Sequence, residues 1–134
     1  MIQRKQSLFL FLSAFLAACY LFVMPYYVDK EGLAFLAMNN VLLLAIGSLS
    51  IGLSLMTIFL FKNRKLQIKL CLANKILIIA NCAWLIYSMY QIQDQIAKEG
   101  FGIYALALAY VMLAFASSAI KKDEALVSSV DRIR

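Results

Sequence analysis

The sequence predicts an all-α integral membrane protein, an antiparallel up-down-up-down bundle of four transmembrane helices with both termini cytoplasmic. Hydrophobic residues make up 64% of the 134 residues, far above the roughly 45–50% of soluble globular domains. They are concentrated in four long apolar runs, and most Lys and Arg residues lie between or beyond these runs. A soluble domain of this length has too little interior to bury so much apolar surface, so we expect lipid to surround the runs.

We predict a single domain, 1–134, because the sequence contains neither an internal repeat nor a linker long enough to separate two domains. A transmembrane helix needs about 20 consecutive, mostly apolar residues. Pro25, the single proline, lies near the end of the first run, where it ends or kinks the helix without dividing it. The predicted helices span residues 7–28, 33–61, 70–90 and 101–120, and an amphipathic cytoplasmic tail follows at 121–134.

The distribution of Lys and Arg predicts the orientation. Ten of the thirteen lie at the amino terminus, in the basic octapeptide Lys62–Lys69 or in the tail. The connections on the other side carry only Lys30 and Lys98. Because cytoplasmic loops of membrane proteins carry an excess of positive residues, we predict that both termini and the octapeptide are cytoplasmic.

The positive residues near the predicted cytoplasmic surface form the first candidate site, the basic face. In the tail, Leu126, Val130 and Ile133 share one side of a helix, which is typical of a helical extension or an interfacial helix. We expect the face to contact the anionic cytoplasmic leaflet, or to bind a membrane-protein partner or a second copy of the chain. Nucleic acid is not an expected partner, since membrane topology already explains the charges. The members of the face are Arg4, Lys62, Arg64, Lys65, Lys69, Lys121, Lys122, Arg132 and Arg134.

A second candidate site is a polar stripe between helices. Asn74, Asn81 and Ser88 recur at seven-residue spacing in the third run. Helix packing explains such a stripe, because polar groups in lipid form hydrogen bonds to neighbouring helices. The functional alternative is a polar cleft between helices, which Asn39, Asn40, Trp84 and the tyrosines at the outer helix ends could help to line.

No catalytic, cofactor or metal site is predicted. The chain has no histidine, and its cysteines, Cys19, Cys71 and Cys82, form no C-x-x-C pair. No acidic residue lies inside an apolar run, although a proton-coupled transporter would need an ionisable group there. Lys75 lies near the predicted cytoplasmic end of the third helix, from which its side chain can extend back to the headgroups. The alternative is that Lys75 contacts a substrate or a lipid phosphate. We therefore expect a protein that is not an enzyme.

The first run also has features of a signal peptide. Arg4 and Lys5 precede an apolar stretch, and Leu16-Ala17-Ala18-Cys19 resembles a lipoprotein cleavage site. However, the chain stays apolar as far as Val28, whereas a mature secreted protein normally begins with polar residues. We expect an uncleaved first helix.

Several short motifs at the predicted cytoplasmic surface resemble those of a known family. They are Met1–Arg4, Asn63–Cys71, Lys122–Leu126 and Val130–Arg134. With them the sequence resembles, nearly end to end, a bacterial family of uncharacterised four-helix membrane proteins, domain of unknown function 4293. The resemblance implies four transmembrane helices in a bacterial inner membrane, and it implies no activity, substrate or cofactor.

These observations lead to two functional expectations. The first is a non-enzymatic binding or structural/accessory component that acts through the basic face. The alternative is a small oligomeric transporter or channel-like subunit with a polar cleft between its helices.

Overall fold

The protein consists mainly of four long helices. A computed structural model describes the backbone of residues 3–131 and the side chains of residues 5–129. The helices are α1 (Gln3–Phe22), α2 (Val41–Phe59), α3 (Arg64–Gln91) and α4 (Gly102–Asp131). All four are long and apolar enough to cross a membrane, so the prediction of four such helices is confirmed. The connections hold three short strands, β1 (Pro25–Asp29), β2 (Ala34–Leu36) and β3 (Ile96–Glu99), and one 3-10 turn, Ala37–Asn39.

The four helices pack side by side. Each contacts its neighbours in sequence, and α1 also packs against α4, which closes a ring. Close approach of α1 and α2 depends on Gly47, because a methyl group there would lie 2.7 Å from the Leu21 side chain. Large apolar side chains such as Phe15, Phe59 and Phe115 are more than half exposed on the outer surface. Apolar residues therefore cover the outside as well as the core, a pattern that fits an apolar solvent.

The predicted helix boundaries are wrong at one end of the helix ring. The predicted first helix, 7–28, ends at Phe22, and the predicted second helix, 33–61, begins at Val41. The residues between belong to β1, β2 and the 3-10 turn. Tyr26, Tyr27 and Val28 are apolar enough to extend a hydropathy run, but aromatic and β-branched residues after a proline favour a strand.

The boundaries differ at the opposite end as well. The sequence predicts that the octapeptide is a loop before the helix 70–90, but α3 begins at Arg64 and includes most of the octapeptide. The predicted helix 101–120 and the tail form one continuous helix as far as Asp131. Lys and Arg interrupt a hydropathy run, but they are good helix formers, so a helix can continue through them. At 30 residues α4 is about 45 Å long, longer than a bilayer core of about 30 Å.

The three strands form a small antiparallel sheet of order β2-β1-β3. β1 is central, with Tyr27 opposite Phe35 of β2 and opposite Glu99 of β3. The rings of Tyr27 and Phe35 stack with centroids 4.7 Å apart. The sheet thereby ties the α1–α2 connection to the α3–α4 connection. We call this end of the molecule the sheet end, and the end with the α2–α3 connection the basic end.

The sheet depends on a glycine at the end of β3. A Cβ atom at Gly100 would lie 2.0 Å from the Pro25 carbonyl oxygen, and the Gly100 N–H donates to the Tyr26 carbonyl oxygen at 3.0 Å. We expect Gly100→Ala to lower the free energy of unfolding in detergent by about 1–3 kcal/mol. Gly52→Ala is the control, since nothing lies within 4 Å of its Cβ position. Equal stability of the two variants would contradict this sheet.

Candidate functional site at the basic end

A cavity of about 540 Å³ lies at the basic end, between the α2–α3 connection and α4. Its walls combine cationic, amide, acidic and apolar side chains. We call it the basic cavity. The residues that line it are Phe61, Lys62, Asn63, Arg64, Lys65, Glu124 and Val127.

A tight turn and a helix cap place the cations at this cavity. The Asn63 N–H donates to the Leu60 carbonyl oxygen at 3.0 Å, which closes the turn after α2. The Asn63 side chain then accepts from the Leu66 N–H at 3.2 Å and caps the first turn of α3. An asparagine at this position is a favoured helix start. Lys62, Arg64 and Lys65 consequently crowd around the amino end of α3.

This crowding of cations is unfavourable to the helix itself. The amino end of a helix carries a partial positive charge, so acidic residues stabilise it and cations do not. The first turn of α3 contains no acidic residue. An anion in the basic cavity would relieve this repulsion and would meet free backbone N–H groups at the same point.

Asp123, a buried residue of α4, makes hydrogen bonds to two other helices, one through its carboxylate and one through its backbone carbonyl group. Asp123 of α4 is only 6% exposed, and its carboxylate accepts a hydrogen bond from the Gln6 side chain of α1. Arg64 Nη1 of α3 lies 3.4 Å from the Asp123 carbonyl oxygen, to which it donates. This contact was not predicted from the sequence, although Asp123 continues the buried stripe of Leu113, Ala116 and Ile120 by one more turn.

The structure brings together only part of the predicted basic face. Lys62, Arg64 and Lys65 line the cavity. Three other members are exposed and lie outside its lining: Lys69, Lys121 and Lys122. The side chains of Arg4, Arg132 and Arg134 lie outside the described residues, as do those of Val130 and Ile133 in the tail.

The polar stripe of α3 faces α2. Asn81 Nδ2 donates to the Leu43 carbonyl oxygen at 3.2 Å, while Asn81 Oδ1 accepts from the Tyr20 hydroxyl of α1 at 2.8 Å. Asn81 is 1% exposed. Ser88 differs, because it is half-buried and donates to Leu85 of its own helix at 2.8 Å.

Asn74 makes the second link between these helices. Its Oδ1 accepts from the Ser50 hydroxyl at 2.6 Å, and its Nδ2 donates to the Ser54 hydroxyl oxygen at 2.7 Å. Gln67 makes a third link by donating to the Thr57 carbonyl oxygen at 2.8 Å. It continues the seven-residue series toward the amino end, but it is absent from the predicted stripe because the sequence predicts a loop there. We call Gln67, Asn74 and Asn81 the amide stripe.

The other residues considered for a polar cleft have local roles. The Asn40 side chain caps α2 by accepting from the Leu42 and Leu43 N–H groups at 3.1 and 3.4 Å. Trp84 Nε1 is buried without a hydrogen-bond partner among the described residues. Lys75 is half-buried on α3. Within the part of the chain that the structure describes, no group of His, Cys, Asp or Glu could hold a metal ion.

The amide stripe predicts a measurable coupling between α2 and α3. In a double-mutant cycle of Asn74→Ala and Ser54→Ala, we expect a coupling of about 0.6 kcal/mol, with about 1.7 kcal/mol as an upper bound. The measurement is unfolding in mixed micelles of rising dodecyl sulfate content. A cycle of Asn74→Ala with Ser48→Ala is the control, because the Ser48 hydroxyl bonds only to its own helix. Additive effects in both cycles would contradict the interhelical bond.

Comparison with known proteins identifies a family. A family model described as a domain of unknown function, DUF4293, matches residues 2–133. No curated protein and no solved structure matches the chain. The match extends over nearly the whole sequence and confirms the resemblance found in the short motifs. The chain therefore belongs to the DUF4293 family.

Proposed function

We propose that this chain is a multi-pass protein of the bacterial inner membrane that acts as a non-enzymatic binding or accessory component through its basic end. Its four helices cross the membrane in an up-down-up-down bundle, and both termini are cytoplasmic. The observation that carries the proposal is the basic cavity, in which Lys62, Arg64 and Lys65 converge. Its ligand is an anionic membrane component. In the proposed orientation, the phospholipid phosphates of the cytoplasmic leaflet are the anions closest to the cavity.

The charge distribution supports this orientation. Ten of the thirteen Lys and Arg residues belong to the basic end and its flanking termini, and an excess of positive charge marks the cytoplasmic side. Anionic lipids attract cations near the membrane surface by about 1 kcal/mol each. Basic pockets between helices on this side are suited to lipid phosphates.

The cavity also fits the amphipathic character of a lipid. Phe61 and Val127 are 50% and 44% exposed and supply apolar walls beside the cations. Glu124, which also lines the cavity, opposes an anion and limits the net attraction. A headgroup phosphate would therefore sit on the α3 side, where the three cations and the helix start lie.

The alternative, a transporter with a polar cleft, has weaker support. Asn74 and Asn81, the residues expected to line such a cleft, are each 1% exposed and are engaged with neighbouring helices. Because these amide side chains are buried and already hydrogen-bonded to other helices, they offer a solute no polar path through the bundle. The sequence contains no histidine, and the buried acid Asp123 lies toward the basic end of α4, where it is hydrogen-bonded to Gln6. Both observations favour a binding role over proton-coupled transport or catalysis.

The proposal predicts that removal of the cations that line the basic cavity weakens the binding of anionic lipid selectively. The triple variant Lys62→Gln, Arg64→Gln, Lys65→Gln removes the three cations of the cavity, and a single hydrogen bond to a charged group contributes about 1.5–3 kcal/mol, so phosphatidylglycerol affinity should fall by at least about tenfold. Native mass spectrometry of purified protein titrated with phosphatidylglycerol, and with phosphatidylcholine for comparison, measures this. The variant Lys69→Gln, Lys121→Gln, Lys122→Gln is the matched control, because it removes the same charge outside the cavity.

Equal losses of phosphatidylglycerol affinity in the two triple variants would show that the lipid is attracted to the basic surface in general, and would contradict a site in the cavity. Unchanged phosphatidylglycerol affinity in the first variant would contradict lipid binding there. A membrane protein that copurifies with the wild type and is lost only from the first variant would replace lipid as the ligand of the same face.

A further inference from the structure

A second cavity, of about 410 Å³, lies at the sheet end. It is bounded by the last turns of α3, the first turn of α4 and the strands β1 and β3. Its volume falls within the range of small-molecule sites, about 300–1,000 Å³. The proposed function makes no use of this cavity, which lies at the opposite end from the basic cavity.

The lining of this sheet-end cavity combines apolar and polar residues. Ile86 and Met89 of α3 and Ile103 of α4 are among the apolar residues. Two tyrosines, Tyr26 and Tyr90, also line it. Among the described residues that line the cavity there is one carboxylate, Glu99, and no Lys or Arg.

The Tyr26 phenol keeps its neutral form. Burial, with a smaller contribution from Tyr27, raises the pKa of Tyr26 above its usual value of 10.0. Its phenol therefore stays protonated at all physiological pH values and can donate a hydrogen bond. Neutral tyrosine rings attract cations through their faces.

The charge of the sheet end differs from that of the whole chain. The chain carries a net charge of +6, yet the two connections at this end contain four of its seven acidic residues and only two of its thirteen basic residues. A ligand that approaches the sheet-end cavity thus meets an acidic surface. This local field favours a cation and disfavours an anion.

We propose that the sheet-end cavity binds an amphipathic organic cation, with the ammonium group near Glu99 and the tyrosines and the apolar part against α3 and α4. Carboxylate and aromatic rings together recognise protonated or quaternary amines. The apolar lining requires a hydrocarbon body, so a small inorganic cation is a poor fit. The amine comes either from a free amphipathic molecule or from the headgroup of a phospholipid, and both present the same chemistry to the cavity.

The test uses ethidium, an amphipathic organic cation, with purified full-length protein in dodecyl maltoside. We expect saturable binding by fluorescence anisotropy and at least a tenfold weakening in Glu99→Gln. Asp94→Asn is the matched control, because Asp94 is an exposed acid of the same connection that does not line the cavity. It should change the affinity less than twofold. Tyr90→Leu keeps an apolar side chain but removes an exposed aromatic ring. It should therefore weaken ethidium binding severalfold.

Two results would overturn the proposal. The first is the absence of saturable ethidium binding to the wild type when its thermal unfolding shows it to be folded. The second is equal weakening by Glu99→Gln and Asp94→Asn, which would mean attraction to the surface and not to the cavity. Displacement of ethidium by phosphatidylethanolamine, but not by phosphatidylglycerol, would support the site and identify a headgroup amine as its source. Retention of ethidium against both lipids would support a free cation.

Discussion

Apolar surroundings provide no hydrogen-bond partners, and most of this structure follows from that constraint. In the membrane orientation that we propose, a polar side chain inside a helix is stabilised when it finds a hydrogen-bond partner in the protein. Gln67, Asn74 and Asn81 do so by bonding to α2, at three levels seven residues apart. These bonds fix which turns of α2 and α3 lie opposite each other. Apolar packing alone would specify that alignment weakly, because many Leu and Ile side chains can replace one another.

The two ends of the molecule are held together by different contacts from those in its middle. At the sheet end, backbone groups that leave the helices pair with one another in the sheet, and Gly100 permits the close approach of β3 to β1. At the basic end, longer helices replace a sheet, and the Gln6–Asp123 contact joins α1 to α4. The result is one molecule with an acidic surface at one end and a cationic cavity at the other.

The features that depend on hydropathy could be predicted from the sequence. The features that depend on contacts between residues far apart in the chain could not. The four helices and the role of Asn74 and Asn81 follow from apolar length and seven-residue spacing. The sheet was not predicted, because its strands are short and Tyr26 and Tyr27 continue an apolar run. Its formation depends on β3, which lies about 70 residues away in sequence. The basic cavity itself was not predicted. Charge counting predicted a basic face that includes Lys62, Arg64 and Lys65, whereas the separation of these three from Lys69, Lys121 and Lys122 depends on the helix geometry.

The orientation of the two ends is the central claim, and cysteine labelling tests it most directly. In a background in which Cys19, Cys71 and Cys82 are replaced by alanine, single cysteines are placed at the exposed positions Lys30 and Lys65. We predict that a membrane-impermeant maleimide labels Lys30→Cys in intact spheroplasts and labels Lys65→Cys only after lysis. Labelling of Lys65→Cys in intact spheroplasts, or protection of Lys30→Cys there, would contradict the proposed orientation.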